Sequence, residues 1–262
     1  MTTNQNVVKY LALALAVFII VTMVSGVVWF AQNLFDISDK KSLVTNTYNL
    51  DNYSSIYIYA GASNLTIENC NKSTLEITDD YTYTIEDSQL AVRLKNKKIS
   101  YKKDSKIVLC TIDSIFNDIK ITGGAGNIKI ADIEANKVKF ELGAGDVTID
   151  NLTVLGAFNL RGGAGNINIL NSYLTDSEIE LGMGNFTLNT TFKGYTDINM
   201  GMGNLKIKLL DSTDNYAYEI DKGLGSVKLF GETISKKELD TRIGTGKTVI
   251  VVNGGIGNIE IK

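Results

Sequence analysis

The stretch GGAGNINIL, residues 162–170, decides the fold because its Gly-x-Gly-Asn core recurs along the chain. Five copies between residues 124 and 204 read GAGN, GAGD, GAGN, GMGN and GMGN, and two more, GLGS and GIGN, begin at Gly223 and Gly255. The second glycines of the first five copies are spaced by 19, 20, 19 and 19 residues. A fixed period of about 20 residues indicates a solenoid in which each repeat forms one coil.

The residues around each copy alternate between apolar and polar types. In the third copy, Leu160 precedes the second glycine by five residues, and Ile167 and Ile169 follow it by two and four. Alternation at period two predicts β-strands with one buried and one exposed face. The position just before the second glycine is apolar as well, so Met183 and Met202 are predicted to be buried.

The apolar phase slips by one residue across each Gly-Asn pair, which requires a corner or a bulge there. Glycine and asparagine tolerate the positive φ that such a break needs. Each pair is therefore predicted to form a corner of the solenoid, with its Asn stacked on the next coil about 4.8 Å away. The predicted turn ladder consists of Gly126, Asn127, Gly145, Asp146, Gly165, Asn166, Gly184, Asn185, Gly203 and Asn204. Because Asp146 already occupies this column, Asn166→Asp is expected to be nearly neutral.

Residues 10–31 carry no charge and are predicted to form a transmembrane α-helix. At 1.5 Å per residue they span roughly 33 Å, enough to cross the hydrocarbon core of a bilayer. Tyr10 and Trp29 lie near the two ends, where interfacial aromatic residues are found. Residues 1–9 are then a short tail and residues 32–51 a linker. A cleavable signal peptide is the alternative, and the flanking charges do not decide the orientation of the span.

The composition and the glycine-rich motifs give no support for a cofactor, metal or catalytic site. Histidine is absent, and the net charge of -3 gives no reason to expect nucleic acid as a partner. Ile128 stands where calcium-binding nonapeptide coils carry their Asp ligand. The segment GTGKT, residues 244–248, ends like a phosphate-binding loop, but Thr241 replaces the required first glycine and a β-like segment follows. No cofactor, metal or catalytic residue is therefore predicted.

The two cysteines, Cys70 and Cys110, are too few for a disulfide scaffold. Cys70 falls in an apolar column of the repeat, whereas the position of Cys110 in the repeat cannot be assigned. We therefore predict a buried free thiol at Cys70, with a single disulfide as the alternative.

A basic cluster between Arg93 and Lys106 holds seven cationic residues against one acidic residue, Asp104. One interpretation is a solvated hairpin arm whose lysines discourage edge pairing. The other is contact with an anionic polymer or with lipid headgroups. The candidate ligand-binding residues in this cluster are Lys95, Lys97, Lys98, Lys102 and Lys103.

The repeated strand-turn copies resemble the putative-adhesin family of bacterial β-strand-repeat domains. The resemblance covers roughly residues 52–262, and copies such as NLRGGAGNINI and IELGMGNFTL are its most specific part. It implies a β-helical domain displayed outside the cell, often behind one N-terminal membrane helix. It assigns no catalytic residues.

Together these features predict an all-β protein, a β-solenoid of 19–20-residue coils over residues 52–262, preceded by the transmembrane helix. The expected function is that of a membrane-anchored, extracytoplasmic and non-catalytic adhesin-like module for interaction or scaffolding. Its expected partners are the membrane and an anionic envelope polymer or another envelope protein. One alternative is an accessory sensor or regulator of envelope stress that binds a membrane partner. Another is an envelope carbohydrate-active enzyme, for which the sequence offers no distinct pair of carboxylates.

Overall fold

The computed structural model describes residues 43–95, 105–112, 115–235, 239 and 241–262. In this part of the chain the structure is all-β, as predicted, with sixteen strands and one 3₁₀ turn at Thr213–Asn215. The first eight strands are β1 (Thr45–Asn49), β2 (Ser55–Gly61), β3 (Asn64–Asn69), β4 (Thr74–Thr78), β5 (Tyr81–Glu86), β6 (Gln89–Leu94), β7 (Lys106–Thr111) and β8 (Ile115–Gly123). The remaining strands are β9 (Ile128–Ala144), β10 (Val147–Ala164), β11 (Ile167–Leu209), β12 (Tyr216–Leu224), β13 (Val227–Leu229), β14 (Glu232–Thr233), β15 (Thr248–Ile256) and β16 (Ile259–Ile261).

The predicted transmembrane helix at residues 10–31 lies outside the described residues, together with the predicted tail and most of the linker. Among the residues that the structure does describe, no helix is long and apolar enough to cross a bilayer.

The central strands stack in parallel, with equivalent residues of successive repeats side by side. Val147 of β10 pairs with Ile128 of β9 on one side and with Ile167 of β11 on the other. Most apolar columns therefore run through the stack as buried ladders, and Phe140 and Phe158 of two neighbouring columns meet edge to face at 6.0 Å. This packing is what the alternating sequence pattern predicts.

Each coil has three sides, because the buried phase breaks at three points per repeat. In β9 two residues instead of one separate the buried Ile130 from Ile133, and likewise Ala135 from Val138. The third break is the Gly-Asn corner. Asp132 and its equivalents Asn151 and Asn171 adopt left-handed φ values of 55°, 52° and 49° at the first of these breaks. Only the Gly-Asn corner was predicted from the sequence.

The coils at both ends of the stack do not follow the order of the chain. At the C-terminal end, β15 and β16 lie between β11 on one side and β12 and β13 on the other. At the N-terminal end, β2 and β3 lie between β6 and β7 on one side and β8 and β9 on the other. The outer strands are covered by antiparallel neighbours: β4 pairs with β7, β5 with β6 and β14 with β13.

The predicted burial of Met183 and Met202 is wrong, because their side chains are 58% and 46% exposed. Each methionine lies at the apex of a corner, between two glycines that the coil before it contacts closely. A Cβ on Gly182 or Gly184 would collide with a carbonyl group of that coil, so the backbones of the two coils stack closely at the corner. The side chain between the two glycines points outward from this close contact.

The prediction of a buried free thiol at Cys70 is also wrong. Cys70 forms a disulfide with Cys110, with 5.4 Å between the two Cα atoms, and both residues are half-buried. The pairing follows from β7 lying parallel to β3, since the Cys70 amide donates a hydrogen bond to the carbonyl of Thr111 at 2.6 Å. The repeat pattern does not extend to β7, so this neighbour could not be inferred from it.

Candidate binding surface

The asparagines at the corners form a chain of hydrogen bonds along the stack. Asn204 Nδ2 donates to Asn185 Oδ1 at 3.0 Å, and Asn185 Nδ2 donates to Asn166 Oδ1 at 3.2 Å. Asn166 Nδ2 donates in turn to Asp146 Oδ1 at 3.0 Å. The Asp146 amide donates to Asn127 Oδ1 at 3.2 Å, which continues the chain. These polar groups bind one another, so the ladder acts as structural support for the coils.

The corner glycines have the same structural role. Gly145, Gly165, Gly184 and Gly203 have φ values between 135° and 146°, in the range that side chains strongly disfavour. At each of them a Cβ would overlap the carbonyl group of the glycine one coil before. The glycine-rich motif that recurs in the sequence is therefore a means of close packing between coils.

One cluster of metal-ligating residue types occurs in the described part of the chain, formed by Glu68, Cys70 and Cys110. The two sulfur atoms are joined in the disulfide, so neither can act as a thiolate ligand. This cluster is therefore not a metal site in the oxidised protein.

A concave surface on the N-terminal coils has the features expected of a binding site. Tyr57 and Tyr59 of β2 project outward and are 37% and 41% exposed. Tyr57 lies beside Lys120 of β8, and Arg93 of β6 lines the same concavity, which has a volume of about 550 Å³. We call the set Tyr57, Tyr59, Arg93 and Lys120 the tyrosine–cation surface.

The alternating sequence of β2 places both tyrosines on the outward face of the strand. In the segment SIYIYAG, Ile56, Ile58 and Ala60 occupy the inward phase and are fully buried. Strand geometry then places Tyr57 and Tyr59 on the opposite face, about 7 Å apart along the strand. Because β2 is hydrogen-bonded to a parallel strand on each side, the two rings are held on a rigid support.

The cations of this surface lack the acidic partners that other cations on the same side of the stack have. Further along, Lys139 contacts Glu141 at 2.8 Å and Arg161 contacts Glu180 at 3.1 Å. The hydrogen bond from Lys139 holds the pKa of Glu141 below its usual value, and Lys120 and Arg161 lower that pKa further. Arg93 and Lys120 form no ion pair with any residue that the structure describes. Among the described residues, the two cations next to the tyrosines thus have no direct ion-pair partner, although Lys120 attracts Glu141 at longer range.

The structure describes only part of the basic cluster between Arg93 and Lys106. Arg93 belongs to the tyrosine–cation surface, Lys95 is exposed, and Lys106 forms a 2.6 Å ion pair with Glu76. The other candidate residues of the cluster, Lys97, Lys98, Lys102 and Lys103, lie outside the described residues. Sequence reasoning missed Tyr57, Tyr59 and Lys120. The signal for the tyrosines was present, since large aromatic residues occupy the polar phase of an alternating strand.

Comparison with protein families gives a match over most of the chain. The family described as Toastrack DUF4097 matches residues 38–262. The chain belongs to the Toastrack DUF4097 family. The predicted resemblance to the putative-adhesin family is thereby confirmed. No curated protein matches this Toastrack chain.

Several solved structures are similar to this chain at low sequence identity. A putative adhesin from Bacteroides fragilis is 18% identical, with a TM-score of 0.46 over 85% of this chain and 98% of its own. A putative cell adhesion protein from Clostridium sporogenes is 16% identical, with a TM-score of 0.39 over 84% and 99%. A putative lipid binding protein from Parabacteroides distasonis is 14% identical, with a TM-score of 0.34 over 85% and 98%.

Proposed function

We propose that this Toastrack protein is a non-catalytic, adhesin-like interaction module of the cell envelope. In this proposal residues 10–31 anchor it in the membrane, and the tyrosine–cation surface binds an anionic sugar or polyol polymer outside the cytoplasm. The observation that carries the proposal is the proximity of two exposed tyrosines to two cations that form no ion pair with any described residue, on one rigid sheet.

The chemistry of the tyrosine–cation surface matches a polymer that is both anionic and rich in C–H groups. A tyrosine ring offers an apolar face for the C–H side of a sugar or polyol unit, while its hydroxyl group remains in water. The guanidinium group of Arg93 can bind a phosphate or carboxylate through two hydrogen bonds, and Lys120 supplies a second positive charge. An open concavity along parallel strands suits a linear ligand, which need not end inside the site.

The disulfide supports the proposed location. Structural disulfides form and persist in oxidising compartments and are rare where glutathione keeps thiols reduced. Cys70 and Cys110 are bonded across two neighbouring strands of the N-terminal coils. A domain that carries this bond is expected to fold outside the cytoplasm, as the proposed anchor implies.

The test uses the full chain in detergent micelles and three polymers as probes. Poly(glycerol phosphate) and polygalacturonate carry phosphates and carboxylates respectively, and dextran is the neutral control. We expect both anionic polymers to bind more tightly than dextran. Tyr59→Ala and Arg93→Gln should each weaken binding by about tenfold, which corresponds to 1.4 kcal/mol. Arg161→Gln is the matched control, because this cation lies on the same side of the stack but is already paired with Glu180.

Two outcomes would contradict the proposed function. Equal binding of dextran and the anionic polymers would remove the role of charge. Unchanged affinity in both Tyr59→Ala and Arg93→Gln would place the binding site elsewhere on the molecule. Since these side chains are exposed, circular dichroism should show that the variants fold as the wild-type protein does.

A further inference from the structure

A ridge of large apolar side chains runs along one edge of the C-terminal coils. Met183, Met202, Ile256 and Leu224 occupy the same corner position in four adjacent coils, and Ile256 and Leu224 are 48% and 69% exposed. Ile256 pairs with Met202 on one side and with Leu224 on the other. Four residues on neighbouring strands form a continuous ridge of roughly 14 Å. We call these four residues the apolar ridge.

The apolar ridge is specific to the C-terminal half of the stack. The same corner position holds only Ala125, Ala144 and Ala164 in the preceding coils. Glycines stand on both sides of the ridge residues, for example Gly201 and Gly203 beside Met202, and they add no side chain that could cover them. Large side chains thus project from the corner without neighbours to shield them, which is unusual for a surface that contacts only water.

The side of the solenoid that follows the apolar ridge is strongly basic. Lys206 and Lys208 of β11, Lys228 of β13 and the C-terminal Lys262 are all exposed there. Glu260 lies between Lys206 and Lys228 in the strand register and contacts Lys206 at 3.9 Å. On this side four lysines thus stand against two acidic side chains, Glu260 and Glu232 of β14, although the chain as a whole carries a net charge of -3. The aromatic ring of Phe230, next to β13, is also largely exposed.

The side that precedes the apolar ridge carries charges of both signs. Asp197, Glu219 and Asp221 lie there, on strands that also carry ridge residues. Lys222 of β12 lies on the same side, and Arg242 forms an ion pair with Glu219 at 3.8 Å. An excess of lysines is therefore found only on the flank that follows the ridge.

We propose that the apolar ridge and its lysine flank form a contact surface for a lipid bilayer with anionic headgroups. A specific protein partner usually buries about 800 Å² on each side, which a single row of four side chains at a convex corner does not provide. A bilayer has no fixed shape and accepts a narrow apolar edge among its acyl chains. Lysines beside such an edge are attracted to anionic headgroups and strengthen the contact.

This surface is separate from the tyrosine–cation surface and does not depend on it. The tyrosines belong to β2 near one end of the stack, and the ridge reaches β12 and β15 at the other end. Loss of polymer binding would therefore leave the membrane contact intact, and loss of the membrane contact would leave polymer binding intact.

The test measures the depth of a fluorescent label in vesicles that contain the full chain. Because Cys70 and Cys110 are bonded to each other, a bimane dye can be attached to one new cysteine under non-reducing conditions. Leu224→Cys places the dye on the ridge, and Asp221→Cys is the matched control on the preceding flank, in the same strand. The vesicles consist of phosphatidylcholine with or without phosphatidylglycerol, and brominated phosphatidylcholine serves as the quencher.

We expect the dye at residue 224 to be quenched at least about twofold more than the dye at residue 221 in vesicles with phosphatidylglycerol. This difference should disappear in phosphatidylcholine alone and in the variant Lys206→Gln/Lys228→Gln/Lys262→Gln, because the lysine–headgroup attraction is then lost. Equal quenching at the two positions in anionic vesicles would overturn the proposal. So would quenching at residue 224 that is independent of both phosphatidylglycerol and the lysines. All of these substitutions are at exposed positions, so the thermal unfolding midpoint should match that of the wild-type chain.

Discussion

Asn258 donates a hydrogen bond from Nδ2 to Asn204 Oδ1 at 3.1 Å, across 54 residues of sequence. Asn204 makes the equivalent bond to Asn185, only 19 residues earlier. The last coil of the chain is therefore inserted next to β11, and the coil of β12 and β13, which precedes it in sequence, is the outer one. As a result, the C-terminal strands hold the outer coil onto the rest of the stack.

Removal of residues 248–262 should prevent formation of the C-terminal part of the stack. Both β11 and β12 would lose their shared neighbour, and each would expose an unpaired edge that favours aggregation. Size-exclusion chromatography with light scattering and thermal unfolding by circular dichroism would measure this. A monomeric truncated chain with a cooperative transition close to that of the wild type would contradict the inserted position of the last coil. A solenoid stacked in chain order would give that result, because it would lose only a terminal repeat.

The destabilisation caused by close contact between coils at a corner glycine can be measured separately from that caused by its backbone conformation. Gly165 and Gly231 both have positive φ, 140° and 89°, but only at Gly165 would a Cβ collide with the neighbouring coil. Gly231→Ala should therefore cost about 1 kcal/mol of unfolding free energy, from the backbone alone. Gly165→Ala should cost about 3 kcal/mol or more, because the Gly145 carbonyl must also move. Chemical denaturation of the two variants measures the difference, and equal losses would show that contact between coils does not matter.

The sequence was sufficient to predict the repetitive part of the fold. The alternation around Ile167 and the fixed spacing of the glycine pairs both arise from local geometry, so they are visible in the sequence. The exposure of Met183 could not be predicted in the same way. It depends on how closely the neighbouring coil stacks on the backbone of the corner, and alternation alone does not include that neighbour.

The order of the end coils was beyond sequence reasoning for a different reason. The pairings that place β16 between β11 and β13 link distant segments, and a Gly-x-Gly motif precedes both β13 and β16. The motif therefore does not distinguish a coil that is inserted from one that is added at the end. The lack of a direct ion-pair partner for Lys120 among the described residues likewise emerges only when the side chains on neighbouring strands are known.

Reduction of the disulfide should destabilise the N-terminal coils without unfolding the chain. Cys70 and Cys110 are separated by 40 residues, and closing a loop of that length corresponds to about 4 kcal/mol in the chain-entropy model. We expect the double variant Cys70→Ser/Cys110→Ser to unfold at lower denaturant concentration and to be insensitive to reducing agent. The wild-type chain should gain two hydrogens in mass on reduction. Equal stability of the oxidised and reduced wild-type protein would contradict a structural role for the bond.

Two buried tyrosines should make the stability fall in alkaline solution. Burial raises the pKa of Tyr216 and of Tyr218 above the ordinary value of 10.0, and a hydrogen bond to the Asp211 carboxylate raises that of Tyr216 further. At pH values below this ordinary pKa, each tyrosine is protonated in both the folded and the unfolded state, and its contribution to the free energy of unfolding is complete. Above it the unfolded chain loses the proton first, so stability falls by about 1.4 kcal/mol per pH unit for each tyrosine. Denaturation of Tyr216→Phe should show a shallower alkaline slope than that of the wild-type chain. An unchanged slope in Tyr216→Phe would be inconsistent with this assignment.

The hydrogen bonds of the corner ladder reverse the expectation that Asn166→Asp is neutral. Asn166 Nδ2 donates to the Asp146 carboxylate at 3.0 Å, and Asp at this position would replace that donor with a second negative charge. We expect a loss of about 1 to 2 kcal/mol in unfolding free energy at neutral pH, because like charges lie opposite each other on adjacent strands.

The matched control for this substitution exchanges the two side chains. In Asp146→Asn/Asn166→Asp the ladder again holds one carboxylate, and Asn185 Nδ2 can still donate to residue 166. Stability should then return to within about 0.5 kcal/mol of the wild type. The penalty of Asn166→Asp alone should also shrink at high salt and below about pH 4, where carboxyl groups become protonated. A single variant as stable as the wild type in low salt at pH 7 would mean that the amide–carboxylate bond does not contribute to coil stacking.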